Sequence, residues 1–197
     1  MNRVFDNPHF VAIDKPAGML TVPSRLGVDD PRPCAGRELE RELGLRLWPV
    51  HRLDLEVSGL VLFAKDPEAH RAASAWFEGR DVHKRYQALT ERGAGAPPAG
   101  EVTWRSRLLR GKKRAYESPH GKSAETRARC LGRQGDWLSW ELEPLTGRPH
   151  QLRVHLAAHG FVIAGDELYG ATHPFAGGGI GLRAVSLELS ACPGREA

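Results

Sequence analysis

The chain has 197 residues, 41% hydrophobic and 26% charged, and 28 Lys and Arg against 24 Asp and Glu give a net charge of +4. That length holds one domain with a substantial core and little else, so residues 1–197 are expected to form a single domain. No stretch approaches the roughly 18 consecutive apolar residues of a membrane span, and MNRVFDNPHFVAIDKP sets Asp6 and Asp14 in or beside its only short apolar run. The segment does not read as a secretory signal, and the cytoplasm is expected. Cys34, Cys130 and Cys192 are odd in number, far apart and without C-x-x-C spacing, which predicts isolated reduced thiols. Only six of the 28 basic residues are Lys, a bias that suits phosphate recognition and equally a GC-rich genome.

In chain order, FVAID (10–14) alternates and meets KPAG, a strand running into a turn. AGRELERELG (35–44) carries Leu39 and Leu43 at i, i+4 before a stop at Gly44 and reads as an amphipathic helix covering the core. GLVLFAK (59–65) is a short unbroken apolar run, a buried strand, and DPEAHRAASAWFEG (66–79) is a helix with an Asp cap and Pro in its first turn. KRYQALT (84–90), EVTWRSRLL (101–109), ETRARCL (125–131) and WLSWELE (137–143) alternate as successive antiparallel strands. Residues 149–159 read as a helix opened by Pro149, and LRAVSLEL (182–189) is a last strand. This order predicts an α+β fold with a mixed, mainly antiparallel sheet.

Charge is unevenly placed. From Arg105 to Arg133 there are ten Lys or Arg and two Glu, a local +8, so the rest of the chain carries −4. Such a concentration is the footprint of a polyanion partner, because neutralised phosphates release counterions; the alternative is a solvated charged hairpin. HGKS (120–123) lacks the first Gly of a phosphate loop, since position 116 is Tyr, and Ser58 lacks the preceding Gly of a nucleophile elbow. His150, His155 and His159 could in principle hold zinc in a metal-dependent hydrolase, but no Glu lies inside the i, i+4 pair to serve as base, and no metal is expected. Arg148, His150, Gln151 and Arg153 crowd the start of one helix, where free backbone N–H groups and basic side chains favour an anion. Asp54, two places after Arg52, is either a structural ion pair, the commoner outcome for that spacing, or a nucleophile kept ionised by a basic neighbour.

HRLDLEVSGLVLFAK (51–65) resembles the H-R-L-D-x-x-T-S-G-L-x-L-x-A-K signature of the RluA-type pseudouridine synthases. FVAIDKPAGMLTVPS, KRYQALT, GKSAETR, TGRPHQLRVHLAAHGFVIAGDELYG and LRAVSLEL resemble further segments of that family, in the same order and over most of the chain. The resemblance implies the pseudouridine synthase catalytic fold, with a central RNA-binding cleft, and isomerisation of uridine to pseudouridine in ribosomal RNA or tRNA. It makes Asp54 the essential aspartate, which attacks the anomeric carbon, assists loss of the 2′ proton or adds to carbon 6 of the base. Tyr86 would stack on the uracil and help deprotonate carbon 5, Arg153 would pair with Asp54, and Leu182 would line the pocket.

Arg52 would hold open the space vacated by the flipped base, with His51 beside it, while Arg148, His150, Gln151, Lys112, Lys113 and Arg114 would contact the RNA. No metal or organic cofactor, no membrane and no obligate protein partner is implied, and a monomer is expected. The rival reading is a non-catalytic RNA-binding protein on the same fold. An added N-terminal RNA-binding domain is not expected, because the first family-like strand begins near residue 10. Val57 stands where the family usually has Thr, which puts in question how the Asp54 loop is held; Asp14, Val162 and Arg183 depart where Asn, Pro and His are common.

Overall fold

Alternation and apolar runs decide where the strands lie, and both are borne out. The structure, a computed structural model, describes residues 1–79, 81–91, 93 and 95–189, without the side chain of residue 28; Cys192 lies outside the described residues. Cys34 and Cys130 are free thiols. Among the described residues no helix is long and apolar enough to cross a membrane. The described residues form two compact units, 1–83 together with 187–189, and Lys84–Ser186.

The first unit contains β1 (Arg3–Asp6), β2 (Phe10–Lys15), α1 (Ala35–Leu43), β3 (Trp48–Pro49), β4 (Ser58–Ala64) and α2 (Pro67–Gly79). β1, β2 and β4 lie side by side and antiparallel, with Phe10 opposite Ala64 and Lys15 opposite Gly59. β4 reads as an unbroken apolar run because both its faces are covered. Leu62 and Ala64 join Phe10 and Ala12 against Ala69 and Ala73 of α2, while the Phe63 ring lies against α1 beside Gly36. α2 begins where Asp66 Oδ1 accepts from Ala69 N at 2.7 Å, the cap expected from the sequence. α1 stops at Gly44, whose φ of 66° belongs to the left-handed region.

The second unit contains β6 (Glu101–Arg110), β7 (Ala115–Glu117), β8 (Lys122–Gln134), β9 (Trp137–Pro144), α3 (Gln151–Ala158) and most of β5 (Val82–Thr90); β5 and β10 (Leu182–Leu189) have residues in both units. β5, β9, β8, β6 and β7 are neighbours in that order, and their pairings are antiparallel. Leu108, Ala115 and Ala124 face inward onto Val154 of α3. The helix starts two residues later than the sequence indicates: His150 is its N-cap in the left-handed region, φ 53°, so Pro149 precedes the helix. His150 is the one non-glycine residue with positive φ among the described residues.

Candidate active site

Asp54 stands at the first position of a tight turn, in which its carbonyl accepts from Val57 N at 3.2 Å just before β4 begins. Neighbours on both sides fix the same backbone. Thr21, 2% exposed, brackets Leu53: its Oγ1 donates to the Leu53 carbonyl at 3.0 Å and accepts from Leu53 N at 3.1 Å. Gly18 N donates to the Leu55 carbonyl at 2.8 Å. Val57 is 3% exposed, so the residue that departs from the family pattern gives the turn apolar packing, and its backbone N–H supplies the closing bond whatever its side chain.

Below this turn lies Lys15, a residue that sequence reasoning took only as part of a turn. The register sets it opposite Gly59, whose φ of 112° only glycine adopts readily. Lys15 is 0% exposed, with Nζ donating to the carbonyls of Pro16 and Met19 at 2.9 and 2.8 Å. Burial pushes its pKa down to about 8, against the opposing pull of the Asp54 and Glu56 carboxylates. Asp54 is thus half-buried, on a fixed turn, in the field of a buried ammonium.

Arg153 lies in the second unit, on α3, and is 2% exposed. Its Nε and Nη2 donate to the two carboxylate oxygens of Asp166, each at 2.7 Å, and its guanidinium carbon lies 5.2 Å from the centre of the Tyr169 ring. Neither partner was singled out from the sequence. The Tyr169 hydroxyl accepts from Ala115 N at 3.1 Å and donates to the Ala115 carbonyl at 2.9 Å; burial pushes its pKa up. Removing one partner of such a buried pair costs about 3–5 kcal/mol. Tyr86 lies half-buried on β5 opposite Leu142, and Leu182 is buried at the start of β10. Lys84, two residues before Tyr86, lies beside the turn at Gly147 and has its pKa lowered by burial.

Several expected contacts with substrate are structural. Gln151 is buried with its amide fully used: Nε2 donates to the Glu125 carbonyl and Thr126 Oγ1, and Oε1 accepts from Thr146 Oγ1 and Arg148 N. It braces α3 against β8 and has no group left for RNA. His51 Nε2 accepts from Leu62 N at 3.1 Å and its ring stacks on Phe77, which fastens it to β4. Arg52 is exposed, and Arg148 is half-buried with Nε donating to the Ser123 carbonyl.

The three histidines do separate work. His155 bonds Thr126 Oγ1 through Nδ1 and Ser106 Oγ through Nε2, and burial pushes its pKa down to about 4. His159 stacks on Trp104 at 4.4 Å. His150 accepts from Arg110 Nη1 at Nε2 and contacts the Tyr169 hydroxyl through Nδ1. Among the described residues no group of three His, Cys, Asp or Glu is placed to hold a metal ion.

The basic segment is narrower than its +8 suggests. On the outer face of the sheet Arg105 pairs with Glu125, Arg127 with Glu143 and Arg129 with Glu141 across neighbouring strands. Two of those acids lie outside the 105–133 window. The excess positive charge gathers at the turn between β6 and β7, where Lys112, Lys113 and Arg114 are exposed.

Residues 9–158 match the RNA pseudouridylate synthase family. The chain is 34% identical over 176 residues to the dual-specificity RNA pseudouridine synthase RluA of Vibrio vulnificus, covering 84% of this chain and 68% of that one. It is 37% identical over 178 residues to the RluA of Pasteurella multocida, covering 86% and 77%. Among solved structures it is similar to human RNA pseudouridylate synthase domain containing 1, with a TM-score of 0.79 and 25% identity over 96% of this chain and 78% of that one. A turn that fixes one aspartate, a helix that fixes one buried arginine and these likenesses agree: the chain belongs to the RNA pseudouridine synthase family, of the RluA type, and is an isomerase acting on RNA.

Proposed function

We propose that this protein isomerises particular uridines of ribosomal RNA, tRNA or both, as a cytoplasmic monomer, and that Asp54 is its nucleophile. The observation that carries the reading is the Asp54 turn, fastened through Leu53, Asp54 and Leu55 at once and set over a buried ammonium, more fixation than a surface ion pair requires.

In this reading the Asp54 carboxylate attacks C1′ of the ribose, forming a C1′–O bond as the bond between C1′ and N1 of uracil breaks. The uracil leaves with the bonding pair on N1, turns over Tyr86, and presents C5 to C1′. The new C5–C1′ bond forms as the C1′–O bond to Asp54 breaks and its electron pair returns to the carboxylate, the C5 proton departs with help from Tyr86, and N1 takes up a proton, so atoms balance without oxidant, reductant or added water. Hence no metal or organic cofactor is required. Arg153 pairs with that carboxylate and aims it, in a setting where exclusion of water strengthens electrostatics. Leu182 gives apolar lining. Flipping the uridine costs roughly a few kcal/mol, offset by Arg52 at the vacated stack and by phosphate contacts from Lys112, Lys113 and Arg114.

Purified protein incubated with large-subunit ribosomal RNA or tRNA transcripts labelled with tritium at C5 of uridine tests this. Release of tritium matching the pseudouridine formed is expected from at least one transcript, unchanged by EDTA, and absent with Asp54→Asn. Tight binding of both transcripts with no release from either would favour the non-catalytic RNA binder.

A further inference from the structure

We infer that Asp166 and Tyr169 are positioning residues that dictate which edge of Arg153 serves the reaction; this rests on the reading that Arg153 acts with Asp54. A guanidinium carries five N–H donors in one plane. Asp166 takes Nε–H and one Nη2–H side-on, both at 2.7 Å, so the edge bearing Nη1 is the one Arg153 can offer a second acceptor. Tyr169 backs the same group, its ring centre 5.2 Å from the guanidinium carbon.

Both supports are themselves immobilised. The Tyr169 hydroxyl is fastened to the backbone of Ala115 by two hydrogen bonds. Asp166 N donates to the Ile163 carbonyl at 3.0 Å, and the Asp166 carbonyl accepts from Tyr169 N at 3.0 Å and Ala171 N at 3.1 Å. Gly165 brings the chain to that point with φ 78°, where a Cβ would lie 2.8 Å from Phe175 Cβ and 2.9 Å from the Gly179 carbonyl oxygen. An ion pair needed only for stability would be matched by apolar side chains of similar volume. The side-on geometry, with an aromatic ring against the same guanidinium, instead defines a direction.

The test is a double-mutant cycle on single-turnover tritium release, using Arg153→Ala, Asp166→Asn and both together on labelled total RNA from cells lacking this protein. Asp166→Asn is expected to slow release at least about 100-fold, the size of effect that misplacing a reacting group produces, with RNA affinity within about threefold of wild type. The double variant should be no slower than the slower single, because Asp166 acts through Arg153. Multiplying losses, or wild-type release by Asp166→Asn, would overturn the inference. Should Asp166→Asn fail to fold by circular dichroism, the same cycle with Tyr169→Leu decides on the same criterion. Asp54→Asn separates the two levels: full release without that carboxylate defeats the underlying reading, whereas loss of release together with a multiplicative cycle defeats only the roles of Asp166 and Tyr169.

Discussion

Asp54 and Arg153 are held in opposite ways. The aspartate is fixed through its main chain, by a turn and by the Thr21 hydroxyl on Leu53, so its carboxylate is aimed by the path of the backbone. The arginine projects from a regular helix and is fixed at the far end of its side chain by Asp166 and Tyr169. A short side chain inherits the precision of its backbone. A long one must be caught at its tip, since its rotamer entropy of about 2 kcal/mol is otherwise unconstrained. Substitutions around Asp54 should therefore be tolerated where the main chain survives, and substitutions around Arg153 should not.

The contrast breaks most visibly at the buried pair. Asp166→Ala is expected to lower unfolding free energy in urea by about 3–5 kcal/mol, because it strands a buried guanidinium; a loss under about 1 kcal/mol would show that Arg153 is not held by its tip. The β6–β7 turn is a third case: Lys112 and Lys113 are exposed at its tip, while Arg114, also exposed, donates from Nη1 to the Leu168 carbonyl at 3.3 Å. Replacing Lys112, Lys113 and Arg114 by Ala should flatten the salt dependence of RNA binding by up to about 3 units, whereas Arg127→Gln with Arg129→Gln should change it by less than about 1, those arginines being already paired. Equal effects in titrations over salt would contradict the division of charge between tip and outer face.

Thr21→Val removes two hydrogen bonds from a buried backbone and is expected to cost about 1–3 kcal/mol and to slow catalysis, while Thr21→Ser keeps both functions; denaturation and tritium release on the pair measure it. His155 has a folded pKa of about 4, below its ordinary 6.5. Its neutral form therefore supports the fold fully above pH 6.5, and that support is lost as pH falls from 6.5 towards 4. Melting temperatures across that window should fall less steeply for His155→Gln than for the parent. Val57→Thr should have the smallest effect, within about threefold in rate, since the bond that closes the Asp54 turn comes from the backbone N–H.

Periodicity, one unbroken apolar run and helix-end signals exposed every long element, because β4 to β6, β8, β9 and the three helices bury recognisable faces. β1 escaped because all four of its residues are exposed, β3 because it is two residues including Pro49, and β7 because it is a three-residue strand beyond a turn. Asp54 and Arg153 were singled out through the family signature. Asp166 was not, although it lies in a recognised segment, because nothing local marks a carboxylate as the partner of a helix residue thirteen positions earlier. The basic segment misled for a related reason: Glu141 and Glu143 reach it across strands, outside any window along the chain. Gln151 sat at the helix start as an anion site requires, and only its burial reveals that it faces inward.

The most direct measurement maps pseudouridine at single-nucleotide resolution in total RNA from cells that carry this protein or its Asp54→Asn variant. One or more sites in ribosomal RNA or tRNA should be present with the first and absent with the second. An unchanged map, with both proteins folded and equally abundant, would contradict Asp54 as the nucleophile.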